Sequence, residues 1–526
     1  MQIAKSLFFQ NRTIPEGGVK NYCFFPDFRW KFTVGDIIFL LNVQYYREEF
    51  FMLEISAELC AAIASAGQEH VLRYFDELDD AGRAGLISQL EAINWASLPE
   101  LARDYVLNRP ETAIPDDLVP AEYFRAKPGT PAEEAFFNAA DARGIELLKQ
   151  GKFCCLTVAG GQGTRLGFDA PKGTYPIGPV TNRTLFGYFA GSIRRLGEKY
   201  GVSIPWYIMT SPINREATET FFKANDFFGL RESDIFFFTQ GTMPAFDLQG
   251  KLILGAKDSL ALSPDGHGGT LLALRRSGAL DKMARDGSEY VSYFQVDNPL
   301  VEVISPRFAG VLDLEGGEVG AIVLAKTGPF EKLGNFCVSS GRTQIIEYSD
   351  LPDELAEKRN PDGSLQFSAG SPAIHIFKRS FIERLTGGNT LQLPWHRADK
   401  KIPFLDENGK CCTPDAPNGV KLESFIFDAL PLAEKVVLLE GERENLFAPT
   451  KNVSGVDSVE SCRRMISGRN AARLAAAGVE IPRNADGSVN AVIEIAPETA
   501  CDAEDVAALV SATGLRKILP GQKVAF

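Results

Sequence analysis

Between Cys155 and Lys172 the chain changes character within a few residues. An apolar run ending at Val158 gives way after Ala159 to four glycines within eight residues, Gly160, Gly161, Gly163 and Gly167, with Arg165 among them and Lys172 just beyond. Glycines without a Cβ let backbone N–H groups come close to an anion, and two nearby cations can neutralise it. The spacing excludes two common phosphate sites. A Walker loop places its lysine directly after the last glycine, whereas Lys172 follows Pro171, five residues past Gly167. A dinucleotide fingerprint needs Gly-x-Gly-x-x-Gly, but Gly161, Gly163 and Gly167 carry one residue too many, and no acid near residue 183 could hold a ribose. A ligand-free turn would not need Arg165 and Lys172 beside its glycines.

With 526 residues and 45% hydrophobic content, two or three domains around one large central unit are expected. The formal net charge of −13 argues against nucleic acid or an anionic membrane as a partner, while leaving room for local cationic pockets. Nine cysteines without C-x-x-C spacing fit a reduced, cytoplasmic setting. The four histidines, His70, His267, His375 and His396, are scattered, so a metal should be oxygen-ligated. The longest apolar run, Ile37 to Val43, is too short to span a bilayer.

Residues 1–51 lack both helical periodicity and a signal-peptide layout, and are expected to be an extension or a start assigned too early. Apolar spacing of three and four over 56–101 predicts a helical pair broken near Ala81-Gly82. A strap follows with Pro110, Pro115, Pro120, Pro128 and Pro131, then a helix over 131–149. Past the glycine loop, helices are expected at 185–196, 218–223 and 269–283 and strands at 204–209, 235–239 and 290–296, with later strands at 319–325 and 343–347. This alternation predicts an α/β fold with a mostly parallel sheet covered on both faces and ligands at the strand C-termini. A helix over 457–477 and short β-like pieces should form a C-terminal lobe.

Gly-Gly-Gln-Gly-Thr-Arg-Leu-Gly followed by Pro-Lys-Gly resembles the signature loop of the eukaryotic-type UDP-N-acetylhexosamine pyrophosphorylases, within the wider UDP-sugar pyrophosphorylase group. The resemblance extends from about Ala66 to about Asn452 through Gln-Gly-Thr-Met-Pro-Ala, Pro-Asp-Gly-His-Gly-Gly, Val-Asp-Asn, Ile-Glu-Tyr-Ser, Lys-Lys-Ile-Pro and Pro-Asn-Gly-Val-Lys. It implies a central Rossmann-like, GT-A-like nucleotidyltransferase sheet over 151–450, a helical N-terminal region and strap over 52–150, and a small C-terminal lobe over 451–526. The implied partners are UTP and a hexose 1-phosphate, with Mg²⁺ as cofactor. The sugar phosphate would attack the UTP α-phosphorus in line and release pyrophosphate, a reaction governed by positioning and charge neutralisation.

Residue by residue, the resemblance assigns Ala159, Gly160, Gly161 and Gly163 to the nucleotide phosphates and Gln240 and Gly266 to uracil and ribose. Arg165, Lys172 and Lys421 become the catalytic cations, Lys451 a further phosphate-binding lysine, and Asp297 the metal ligand. His267, Glu347 and Ser371 fall in the hexose pocket. Two of these depart from the family pattern: His267 stands where N-acetylhexosamine enzymes have Asn, and Ser371 ends a Ser-Ala-Gly-Ser where they read Asn-Ala-Gly-Asn. A His there is closer to the glucose 1-phosphate and broad-specificity enzymes, which keeps those substrates as the alternative. A non-catalytic nucleotide-sugar binding protein is the remaining one, disfavoured because the loop, acid and lysines are all retained.

Overall fold

The strand Phe153–Val158 organises the chain. Phe153 and Cys155 face one hydrophobic cluster and Cys154 and Leu156 another, so alternate residues enter two different cores. Burial on both faces explains why this strand reads as a continuous apolar run rather than an alternating one. The computed structural model describes residues 30–34, 37–41, 54–109 and 114–526. Two units are distinguished, Met1–Glu54 and Ile55–Phe526. Of the first, only the antiparallel hairpin Trp30–Val34 with Ile37–Leu41 is described, so the expectation for residues 1–51 lies largely outside the described residues.

In the second unit Phe153–Val158 lies between Tyr290–Gln295 and Trp206–Thr210, and Ile235–Thr239 completes a four-stranded parallel half. It belongs to an eleven-stranded sheet. Beyond Tyr290–Gln295 the sheet is mixed, because His375–Lys378 inserts antiparallel between that strand and Val319–Ala325. Val319–Ala325 pairs parallel with Val436–Glu440. The α/β architecture expected from the alternation is present, with strict parallelism confined to the half that carries the glycine loop. Pairing across the His375 strand joins segments far apart in sequence, which local periodicity cannot reveal.

Local signals explain most element boundaries. The helix Pro131–Lys149 starts with a capping box in which Thr130 and Glu133 satisfy each other's backbone N–H groups. It crosses the helix Pro306–Leu314 at close range: a Cβ on Gly144 would lie 1.8 Å from the Pro306 carbonyl oxygen, and one on Gly310 1.8 Å from that of Ala140. Ion pairs Arg307–Asp141 and Arg143–Asp313 flank the crossing. Two helical expectations are corrected. The 269–283 segment is two helices, Thr270–Arg276 and Ala279–Arg285, separated by Gly278 at φ +76°. In the N-terminal region the second helix already begins at Asp80, because Asp79 caps it by accepting from the Gly82 N–H; Gly82 lies inside the first turn, not at a break.

The end of the chain has its own core around Ala471, Ile493 and Val506. The buried Glu494 carboxylate accepts from Val180 N, Thr181 N, Thr181 Oγ1 and Tyr188 Oη, each at 2.8 Å, clamping the segment that follows Lys172. No helix among the described residues is long and apolar enough to cross a membrane.

Candidate active site

The four parallel strands end on one side, where the one or two residues past each are Ala159 and Gly160, Ser211, Gln240, and Val296 and Asp297. This is the C-terminal rim where open α/β sheets take ligands. Ala159 donates its N–H to Met209 O, and Gly163 and Lys172 donate to Ala170 O and Gly161 O, closing the glycine loop back on itself. Asn214, fully buried, donates from Nδ2 to Ala159 O and Gly161 O and accepts the Ser211 N–H. Among the described residues the N–H groups of Gly160, Gly161 and Gln162 have no protein acceptor, and a Cβ on Gly161 would meet open space. Together they are three consecutive free donors suited to an anion.

A Cβ on Gly160 would fall 2.7 Å from Gln240 Oε1, so a side chain there would push the glutamine amide aside. The Gln240 amide, itself buried, therefore lies against the loop backbone and offers a side-chain donor and acceptor beside the cradle.

Lys172 Nζ stands 3.3 Å from Asp297 Oδ2, with both side chains largely buried. At an effective dielectric near 20 their attraction is about 5 kcal/mol before desolvation offsets most of it. Asp297 also fixes a third segment, because its carbonyl accepts the Thr450 N–H and Asn298 bonds Leu446 O and Ala448 N. These contacts carry Lys451 to the same rim, where it approaches Asp457 at 4.0 Å. Burial, and after it the charge of nearby Asp297, raises the Asp457 carboxyl above its ordinary range despite Lys451.

On the opposite side, Gly266 at φ +85° lets the 265–269 turn meet the 424–425 backbone, and a Cβ there would collide with Ser424 O at 2.2 Å. Gly268 N donates to Ser424 O and Ser424 N to Asp265 O. Burial pushes the Asp265 carboxyl up to about 6. His267 accepts the Ile426 N–H at Nδ1, which assigns its proton to Nε2. Burial, and then His396, pushes the imidazole down to about 4, so it is a neutral donor near pH 7. Its ring stacks on Phe425 at 5.2 Å, and Phe425 stacks on His396 at 4.2 Å. His396 Nε2 in turn meets Asp428 Oδ2 at 2.8 Å.

Glu347 follows the strand Arg342–Ile346. Burial raises its carboxyl, Asp350 and Asp428 add to the rise, and His396 and Lys451 oppose it. Ser371 pairs with Gly334, where a Cβ would lie 2.6 Å from Ile345 Cγ2 and 3.3 Å from Glu347 Oε1. Arg165, which is exposed, and Lys421, opposite Ala398 in a small three-stranded sheet, make no side-chain hydrogen bond or ion pair to the other candidates among the described residues.

Four contributors were not anticipated from sequence: Asn214, Asn298, Asp265 and the His396–Asp428 pair. Asn298 and Asp265 lie inside Val-Asp-Asn and Pro-Asp-Gly, so adjacency was a usable signal; Asn214 and His396 offered none.

A divalent cation fits this donor set in one way. Asp297 is a hard oxygen ligand at the rim, and a small cation commonly takes one carboxylate and completes its shell with phosphate oxygens and water. The only triad of potential ligands among the described residues, Cys501, Asp502 and Asp505, is far from the strand ends in sequence and engaged with Arg195 and Lys199.

Residues 131–471 match the family model described as UTP–glucose-1-phosphate uridylyltransferase. The chain is 38% identical to the human UDP-N-acetylhexosamine pyrophosphorylase-like protein 1 over 76% of its own length and 80% of that protein. It is 35% identical to the UDP-N-acetylglucosamine pyrophosphorylase of Saccharomyces cerevisiae, covering 74% of this chain and 84% of that one. Its fold matches the crystal structure of the uridine diphosphate N-acetylglucosamine pyrophosphorylase from Trypanosoma brucei with a TM-score of 0.73 at 22% identity, over 89% of this chain and 99% of that chain.

Proposed function

The chain belongs to the UTP–glucose-1-phosphate uridylyltransferase family, and from that premise we propose that it forms a UDP-sugar and pyrophosphate from UTP and N-acetylglucosamine 1-phosphate. The names of the relatives support the N-acetylated substrate, and the Lys172–Asp297 pair beneath the glycine loop is the observation that carries the chemistry. Both reactants are polyanions, so the protein's task is to align them and spread charge.

The free amides of Gly160, Gly161 and Gln162 receive the nucleotide phosphates, with Ala159 and Gly163 shaping the loop. The Gln240 amide and the Gly266 backbone face uracil and ribose. Lys172 neutralises charge building on the α-phosphoryl group, Arg165 covers the exposed side, and Lys421 and Lys451 hold the sugar phosphate. A divalent cation, which we take to be Mg²⁺, would be held by Asp297 and would polarise the phosphate oxygens. Glu347 accepts from sugar hydroxyls, while His267 Nε2–H and the Ser371 hydroxyl face the substituent at the position that distinguishes the sugars. Because neither is an amide, glucose 1-phosphate is the second substrate of this reading.

Residues 52–150, 151–450 and 451–526 serve in it as helical region with strap, catalytic body and C-terminal lobe. The cytoplasm is the compartment, consistent with the eight described cysteines all being free. Pyrophosphate release from UTP, Mg²⁺ and a panel of sugar 1-phosphates tests the proposal. N-acetylglucosamine 1-phosphate should give the highest kcat/KM; no release with any hexose 1-phosphate overturns it.

A further inference from the structure

In a chain of formal net charge −13, four arginines converge on one cavity without an ion-pair partner among the described residues. Arg463, Arg464 and Arg469 come from the helix Val459–Ala476 and Arg483 from the turn that precedes the strand Val492–Glu494. The cavity measures about 740 Å³, the size of a small organic ligand, and only Glu444 and Glu460 oppose the four guanidiniums. Its remaining wall is largely apolar, including Val489 and Val492. Arg464 and Arg483 are exposed, while Arg463 and Arg469 are half-buried, where gathered positive charge is costly. Arg469 illustrates the strain: burial, and then neighbouring Arg473, disfavours its charged form, and its Nε has no hydrogen-bond partner.

The back wall is bonded to all three segments of the candidate active site. Arg463 donates to Pro176 O and Ile177 O, just downstream of Lys172. Arg469 donates to Leu300 O, three residues after Asp297, and to Asn445 O, in the segment that leads to Lys451. None of these residues belongs to the rim described above.

We propose that this cavity is a second anion site, taking a small phosphate ester with an apolar body, and that its occupancy shifts UTP affinity through the Arg463 and Arg469 bonds. Planar guanidiniums match phosphate oxygens in pairs, and the apolar wall accommodates the organic part. Reciprocity requires that UTP change the affinity for the second ligand by the same factor.

Calorimetric titration of the full chain with phenyl phosphate, with and without saturating UTP, tests this. The wild-type chain should bind the probe in both conditions, with different affinities. Arg464→Gln combined with Arg483→Gln, which spares the back-wall bonds, should weaken binding at least tenfold in the UTP-saturated chain and leave UTP affinity in the absence of probe unchanged. Lys172→Ala should still bind the probe. Absence of wild-type binding under UTP, equal affinity in the double variant, loss of binding in Lys172→Ala, or an affinity indifferent to UTP each overturns the proposal. An unchanged circular dichroism spectrum and melting temperature of the double variant separate loss of a site from loss of fold.

Discussion

Lys172 and Asp297 are 125 residues apart in sequence and 3.3 Å apart in space, one on the glycine loop and the other at the end of the neighbouring parallel strand. The pairing register sets this meeting, because Val158 lies opposite Gln295 and the two strands therefore release their chains at the same height. A cation and an anion held there before substrate arrives avoid the reorganisation that solvent would otherwise require.

If these groups stabilise transferring charge, Lys172→Ala and Arg165→Ala should each lower turnover by roughly a hundredfold or more, the scale of a lost preorganised contact. Asp297→Ala should do the same and raise the Mg²⁺ concentration needed for half-maximal rate. Steady-state pyrophosphate release with a metal titration measures both. Wild-type turnover in a variant removes that residue from the proposed machinery.

Sugar choice should depend on the two positions where amides are missing. Restoring them with His267→Asn and Ser371→Asn should move the ratio of kcat/KM toward N-acetylglucosamine 1-phosphate over glucose 1-phosphate by roughly tenfold to a hundredfold, equivalent to about 1–3 kcal/mol. An unchanged ratio, or a wild-type chain that already rejects glucose 1-phosphate outright, means that neither position governs the choice.

Acid should destabilise the chain through His267. Its folded pKa of about 4 lies below the ordinary value, so the unfolded chain binds more protons between the two. Stability is therefore retained above about pH 6.5 and declines as pH falls toward 4, by up to about 1 kcal/mol per pH unit. His375, pushed down to about 3 by burial and then by His267, acts in the same direction. Urea midpoints between pH 7 and 5 should fall, and His267→Asn should flatten the slope; an equal slope in the variant assigns the acid response elsewhere.

The helix crossing behind the sheet leaves no room for a methyl group. Gly310→Ala brings a Cβ to 1.8 Å from Ala140 O, where a backbone carbonyl cannot turn aside as a side chain could. The variant should lose roughly 2 kcal/mol or more, an overpacking cost, while KM for UTP stays near wild type once folded. Chemical denaturation reads the first and initial rates the second. A stability unchanged within error would show that the two helices separate freely.

Much of the scaffold was legible because its determinants are local. Pro131, with Glu133 and Glu134 in the first turn, marks the start of its helix, the apolar run from Cys155 to Val158 marks a strand that begins two residues earlier at Phe153, and the strands Ile235–Thr239 and Val319–Ala325 begin and end where the sequence pattern does. The reading of the glycine loop as an anion cradle rests on signals of the same local kind: absent side chains and nearby cations are written within a few residues.

Tertiary structure alone decided how distant segments meet. Only the folded chain shows His375–Lys378 inserted antiparallel into the sheet, Asn298 pinning the segment that delivers Lys451, and His267 and His396 stacked on the two sides of Phe425. Such contacts arise where whole elements pack, and their partners are separated by chain lengths over which residue order specifies no distance. The same holds for the arginine cavity. Arg463, Arg464 and Arg469 lie on one helix as an ordinary run of charge, and only the folded chain brings them to line one cavity with Arg483.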